Sequence, residues 1–296
     1  MPRTALPRTR FPRMKYAAPS SVDEAVGLLA GDADARVFAG ATDLIPQIRS
    51  GRPEPSVLVD LKNIDRLVGT SESGGNWTVG AATPTSTLTA DVSFTDAFPG
   101  LSEASGLIGS DQIQNRSSWG GNLCNASPAA DSVPALVAND VRAVVAGSNG
   151  ERTIPVADVV TGPGQTSLAD DEFIVEFEVD APAANTSDAY LRLIPRTEMD
   201  IAVVGAAVRV TMDGDTCTAA SVVLGAVAPT VVRVPDAEAA LVGSTLDDAA
   251  LAAVADAASA ACNPIDDKRG TIEYRRQVAG VLAKRAAVIA AERANS

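Results

Sequence analysis

The chain predicts an α+β fold made of two linked units, the first of them two-lobed. Three observations lead there. Short apolar strands alternate with helix-capping patterns up to about residue 62, as in a small α/β lobe. A loop with paired glycines then opens into a helix and further strands, which reads as a second, α+β lobe. Beyond a linker-like stretch, a hairpin signal at Asp213-Gly214 precedes two alanine-rich helical segments.

The elements follow in order. Phe11 to Pro19 reads as extended. Ser21-Val-Asp-Glu24 has the spacing of a capping box and opens a short amphipathic helix through Ala30. Residues 36–39 and 57–61 are strands, with a helical turn over 45–51 between them. Residues 77–81 form another strand, and Thr83-Pro84 caps a helix through Ala90 with proline at its first position. After the glycine pair come a helix over 132–139 and strands over 141–146 and 173–179. Residues 181–188 turn to Ala, Pro, Asn, Thr and Ser, the composition of a linker. Residues 201–211 and 216–227 pair around the hairpin, and Thr245 caps a helix over 246–261. The last helix places Tyr274, Val278, Leu282 and Ile289 on one stripe, read as core packing. The boundaries that result are a disordered tail over 1–10, a first unit over 11–182 with lobes meeting near 62, and a second unit over 183–296.

Composition narrows the function classes. The net charge is −13 over 296 residues, which repels nucleic acid and anionic lipid. A salt-rich cytoplasm or the composition of a GC-rich genome would each account for it. No apolar run reaches membrane-spanning length, and Met1 to Arg13 is basic and proline-broken, so the expectation is a cytoplasmic protein without membrane insertion. Cys124, Cys217 and Cys262 are too far apart for a Cys-x-x-Cys metal motif. There is no histidine, which removes hydrolytic triads and histidine-ligated metals. Chemistry here requires a cofactor.

Two glycine-bearing stretches are the candidates for holding one. In the second, Gly120-Gly121 stands between Ser118 and Asn122, and Asn125 and Asp131 follow. Paired glycines let backbone N–H groups approach a ligand closely, and the polar side chains suit a phosphate-bearing ligand with a sugar or polyol arm. A plain glycine turn between two elements fits the pair as well. In the first, a short strand through Val37 and Phe38 runs into Ala39-Gly40-Ala41-Thr42-Asp43-Leu44, a shape that also presents amides to an anion.

Together the two stretches resemble the FAD-binding subunits of the molybdenum hydroxylases, the family of aerobic carbon monoxide dehydrogenase medium subunits and xanthine dehydrogenase FAD-binding subunits. The family's first loop reads Ala-Gly-Gly-Thr-Asp-Leu, matched by Ala39 to Leu44. Its second reads Gln-Ile-Arg-Asn-Arg-Gly-Thr-Ile-Gly-Gly-Asn and then Ala-Ser-Pro-Ala-Ala-Asp. Gln112 to Asn122 and Ala126 to Asp131 match it here. The resemblance runs from Phe11 to about Arg293. It implies a two-lobed PCMH-type FAD-binding domain followed by a smaller C-terminal domain with an antiparallel sheet and helices.

The same resemblance implies a site. Gly40, Ala41, Thr42, Gly120, Gly121 and Asn122 would cradle the pyrophosphate of a non-covalently bound FAD. Val37, Phe38, Ala39, Asp43 and Leu44 complete the first loop, and Ser118 and Asn125 flank the second. Asp131 would bind ribose or ribityl hydroxyls. Ile108 and Ile174 fall at flavin-lining positions, although by themselves both read as core residues. Arg192 stands where the family has a basic residue near the flavin's polar edge; read alone, it belongs to a solvated charged segment with Arg196, Glu198 and Asp200. No catalytic side chain and no metal ligand is implied.

Three departures qualify the match. Ala41 replaces a glycine, at a cost on the order of 1 kcal/mol if the position requires positive φ. Trp119 replaces a small aliphatic residue and reads as packing under the loop. Ile201 stands where carbon monoxide dehydrogenases tend to carry an aromatic residue.

The function implied is an electron-transfer subunit. A large molybdopterin-binding partner and a small iron–sulfur partner would complete it, as a dimer of heterotrimers, with NAD or a quinone as acceptor. A stand-alone flavin oxidoreductase and a flavin-free assembly scaffold are the alternatives.

Overall fold

The computed structural model describes residues 14–296, so the expected N-terminal tail lies outside the described residues. The first lobe is built on strands β1 (Lys15–Ala17), β2 (Arg36–Phe38) and β3 (Val57–Asp60), with helices α1 (Val22–Ala30) and α2 (Leu44–Arg49) between them. The strands form a parallel sheet in the order β1-β3-β2. Ser21 caps α1 as its spacing requires, its hydroxyl accepting from the Glu24 amide at 3.2 Å. The Glu24 carboxylate reaches back one residue further than a capping box predicts, accepting from the Ser20 amide at 2.9 Å.

The second lobe runs through β4 (Thr70–Ser73), β5 (Asn76–Gly80), α3 (Thr85–Ala90), α4 (Val92–Ala97), α5 (Pro99–Gly106), α6 (Asp111–Gln114), α7 (Trp119–Cys124) and α8 (Ser132–Ala138). It continues through β6 (Arg142–Gly147), β7 (Gly150–Pro155), β8 (Val160–Gly162), β9 (Gln165–Thr166) and β10 (Phe173–Val179). Its main sheet is antiparallel in the order β4-β5-β10-β6-β7. Trp77, Phe94, Trp119 and Phe177 form an aromatic core, with Trp77 edge-on to Phe94 at 5.3 Å and Trp119 edge-on to Phe177 at 5.7 Å. Trp119 is thus packing, as expected, and its indole N–H donates to Ser105 Oγ at 2.8 Å. Thr83 does not cap a helix: its hydroxyl exchanges hydrogen bonds with the N–H and C=O of Gly69, and α3 begins only after Pro84.

The C-terminal part comprises β11 (Thr186–Leu193), β12 (Val204–Asp213), β13 (Thr216–Gly225), β14 (Val232–Arg233), α9 (Pro235–Leu241), α10 (Asp248–Ala261) and α11 (Ile272–Ala294). The four strands form an antiparallel sheet in chain order. Alternate residues serve opposite faces: Ala206, Val208, Val222 and Leu224 pack with α11, while Tyr190, Ala207 and Val223 join the core of the second lobe. The sheet is therefore covered on one side by its own helix and on the other by the second lobe.

Several expectations change here. The supposed linker is a strand from Thr186 onward, and the first strand of the predicted pair starts at Val204. Asp188 is buried rather than solvated; its carboxylate accepts from the Gly100 and Leu101 amides at 2.8 and 3.1 Å and caps α5 from a distant strand. Asp247, not Thr245, caps α10, accepting from the Ala250 amide at 2.8 Å, because Leu246 bends out of helical geometry with φ of 53°. On α11 the buried face is alanine: Ala279, Ala283, Ala286, Ala287 and Ala290, with Leu282 at its edge, while Tyr274 is exposed. Small residues let this helix lie close to its neighbours, as Gly280 shows: a Cβ there would stand 2.5 Å from the Ala255 carbonyl oxygen of α10.

Candidate cofactor site

The first loop leaves β2 after Phe38 and turns into α2. Gly40 is needed for close approach rather than for an unusual φ. A Cβ there would lie 1.8 Å from the carbonyl oxygen of Arg116 and 2.4 Å from its carbon. The glycine thereby seats the first loop directly on the Arg116-Ser117 peptide of the second segment. Ala41 does adopt positive φ, at 59°, so its methyl carries the strain foreseen for a non-glycine residue. From Gly40 to Leu44 the backbone amides donate to no acceptor among the described residues. Asp43 starts α2 without capping it through its side chain, and partial desolvation raises its carboxyl above the usual aspartate range.

The second segment differs from the expected glycine loop. Gly120 and Gly121 lie in the first turn of α7, and neither has positive φ. Ser118 Oγ accepts from the Gly121 amide at 3.1 Å, the Ser118 carbonyl accepts from the Asn122 amide at 2.9 Å, and the Gly120 amide donates to the Ala81 carbonyl at 3.1 Å. The three amides expected to cradle an anion are therefore already satisfied within the fold. Gly120 serves packing: a Cβ would meet the Ala81 carbonyl oxygen at 2.6 Å. Gly121 is different, since a Cβ there would meet only Ser118 Oγ, at 3.3 Å, and would otherwise project into open space. The Asn122 side chain accepts from Ser132 Oγ at 2.7 Å and ties the start of α8 to α7.

That open space is a cleft of about 670 Å³ between the two stretches. Val37, Phe38, Ala39, Gly40, Ala41, Thr42, Asp43 and Leu44 form one wall; Ile108, Ser118, Gly121, Asn122 and Asn125 form the facing one. Gln47 Nε2 bridges the walls, donating to Asn125 Oδ1 at 2.8 Å. Gly120, Asp131, Ile174 and Arg192, also predicted for the site, are outside this lining. The third side is Arg196, Met199, Asp200 and Ile201, from the charged segment weighed in the sequence, braced by Arg269, whose Nε lies 3.1 Å from Asp200 Oδ1. Arg269 gave no signal because it is remote in sequence. Ile201 had been singled out, and it faces the cleft as an aliphatic residue where an aromatic one was anticipated for carbon monoxide dehydrogenases.

Residues 12–182 match the family described as the FAD binding domain in molybdopterin dehydrogenase. The chain belongs to this family. Residues 189–289 match a second family, the CO dehydrogenase flavoprotein C-terminal domain. Among curated relatives, the carbon monoxide dehydrogenase medium chain of Hydrogenophaga pseudoflava is 36% identical, over 93% of this chain and 96% of the relative. The 6-hydroxypseudooxynicotine dehydrogenase complex subunit alpha of Paenarthrobacter nicotinovorans is 33% identical, over 96% of each. A solved structure of the Hydrogenophaga pseudoflava carbon monoxide dehydrogenase superposes with a TM-score of 0.91 and 37% identity, covering 95% of this chain and 98% of that one.

In this member of the molybdopterin dehydrogenase flavin family, Asp131 and Arg192 bind each other. Arg192 Nη1 donates to Asp131 Oδ2 at 2.7 Å and Tyr190 Oη donates to Oδ1 at 3.0 Å, all with little exposure. The pairing engages Arg192 Nη1 and both carboxylate oxygens of Asp131, while Arg192 Nε is buried without a hydrogen-bond partner among the described residues. Ile174 lies in the core of the second lobe.

Burial pushes the Asp131 carboxyl up to about 6 despite the adjacent guanidinium. An unfolded aspartate titrates near 3.9, roughly, so the fold retains a proton that the unfolded chain releases. The contribution of this group therefore favours the fold at low pH and is lost as pH rises from about 4 through about 6. A carboxyl titration followed by NMR should show a midpoint near 6 for Asp131, absent in Asp131→Asn. A midpoint in the ordinary aspartate range would mean that the bonds from Arg192 and Tyr190 offset the burial.

Proposed function

We propose that the cleft holds FAD non-covalently and that the chain is the electron-transfer subunit of a molybdenum hydroxylase. The observation that carries this reading is the row of unpaired amides from Gly40 to Leu44, in the wall of a cleft that the bare Cα of Gly121 also lines. Those amides would donate to the pyrophosphate, and no Cβ at Gly121 obstructs the ligand's path. Thr42 and Asn125 offer polar side chains, and Phe38, Ile108 and Ile201 offer apolar surface, at the cleft wall. Bound FAD supplies the ability to take electrons singly and release them in pairs.

The chain's own task is to hold and orient that group and to shield it from water. Molybdopterin would reside on a large partner and iron–sulfur clusters on a small one, with electrons leaving to NAD or a quinone, in a cytoplasmic dimer of heterotrimers. Among the described residues no helix is long and apolar enough to cross a membrane.

Attachment without a covalent bond is supported by chemistry at the cleft. The chain has no histidine. Cys124 is an exposed free thiol at the cleft wall, and no neighbouring charge favours its thiolate. Acid precipitation of the purified protein should release FAD into the supernatant and leave a colourless pellet. Flavin retained in the pellet would overturn non-covalent attachment, and a protein without flavin absorbance that takes none up would overturn the functional reading.

A further inference from the structure

We propose that Lys62 is a positioning residue for the anion-binding loop, fixing the Ala39-Gly40 peptide so that the Gly40 N–H faces the cleft. The proposal rests on the FAD reading above and names a residue outside the cleft on which that reading depends. The Lys62 ammonium donates to the Ala39 carbonyl oxygen at 2.8 Å and to Asp60 Oδ1 at 2.6 Å, and lies 4.4 Å from the centroid of the Phe38 ring. An ammonium has three N–H donors, and here a carbonyl, a carboxylate and a π face receive them. Asp60 is itself held, since Tyr16 Oη donates to Oδ2 at 2.8 Å and the Lys62 amide donates to Oδ1 at 3.0 Å. The cation is thus fixed at the end of β3, with little freedom to move.

The consequence follows from peptide geometry. In a planar trans peptide the C=O and N–H point in opposite directions. No cis bond occurs among the described residues, so a carbonyl of Ala39 drawn toward Lys62 turns the N–H of Gly40 away from it. Ala39 and Gly40 belong to the cleft wall and Lys62 does not, so the cation holds this peptide from behind. A charged donor on the carbonyl also polarises the peptide and strengthens its N–H as a donor. Without that contact the peptide could rotate, and with positive φ at Ala41 the loop has a strained neighbour that would favour relaxation.

The test compares FAD with riboflavin, which lacks phosphate, as ligands of the full-length apoprotein and of Lys62→Met and Lys62→Arg. Lys62→Met should weaken FAD binding about tenfold while riboflavin binding changes by less than about twofold. Lys62→Arg, which retains a charged donor, should recover most of the FAD affinity. If Lys62→Met does not fold, Lys62→Leu removes the donor equally and should give the same ratio. Equal weakening of both ligands, or unchanged FAD affinity, would overturn the proposal. Failure of the unsubstituted chain to bind FAD would instead remove the functional reading beneath it.

Discussion

Gly40→Ala should lower FAD affinity by a hundredfold or more and also destabilise the fold. The new Cβ would stand 1.8 Å from the Arg116 carbonyl oxygen and 2.4 Å from its carbon, and both contacts are backbone atoms that cannot rotate aside. One of the two stretches must therefore move. Overpacking of this kind typically costs about 1–3 kcal/mol of stability. The larger effect is on the ligand, because the amides from Gly40 to Leu44 would lose their common aim. Charged hydrogen bonds are worth roughly 1.5–3 kcal/mol each, so misplacing two of them accounts for the hundredfold change. Flavin fluorescence quenching and thermal unfolding of the same preparation measure both effects. A parental affinity in a folded Gly40→Ala protein would show that the first loop does not contact the phosphates.

Gly121→Val and Gly120→Val should separate binding from folding at adjacent positions. At Gly121 the side chain enters the cleft, and its Cβ would meet only Ser118 Oγ, at 3.3 Å, so that the hydroxyl must give by a few tenths of an ångström. The backbone there is helical and without positive φ, so a valine meets no left-handed strain. Stability should change by no more than about 1 kcal/mol, the cost of disturbing the Ser118 cap. FAD affinity should fall by about a hundredfold, because isopropyl bulk takes the place of the ligand. At Gly120 the order reverses. The Cβ would press on the Ala81 carbonyl oxygen at 2.6 Å and on the Ala81 methyl at 3.0 Å, parting α7 from the end of β5. That variant should unfold at lower temperature by an amount equivalent to about 1–3 kcal/mol or more. Equal loss of stability in the two variants would contradict the assignment of the cleft to the Gly121 side of the helix.

Much of the site could be read in the sequence because its parts are local. The first loop, from Val37 to Leu44, is continuous in the chain and lines the cleft throughout. Ser118, Gly121, Asn122 and Asn125 follow from a second short stretch and occupy the facing wall. What residue type alone did not show was each residue's local geometry and partners. A glycine pair suggests a turn, yet a serine before it can cap a helix just as well, and Ser118 does so. An aspartate after the loop suggests a hydroxyl acceptor, and only the fold shows that Arg192 and Tyr190 of β11 donate to it.

By itself the sequence determined the order of lobes, the Ser21 helix cap, the Asp213-Gly214 hairpin, the two cleft-lining stretches and the family. Each depends on spacing within a few residues or on a contiguous motif, where backbone geometry leaves few alternatives. Only the tertiary structure decided which amides remain free, which glycine meets a carbonyl and which meets space, and which charged residues are paired. Gly40 meets Arg116, Asp131 meets Arg192 and Asp188 meets the start of α5, across 60 to 90 positions of chain, roughly. Such contacts arise from how packed elements approach one another, and no local periodicity encodes the last ångström of that approach.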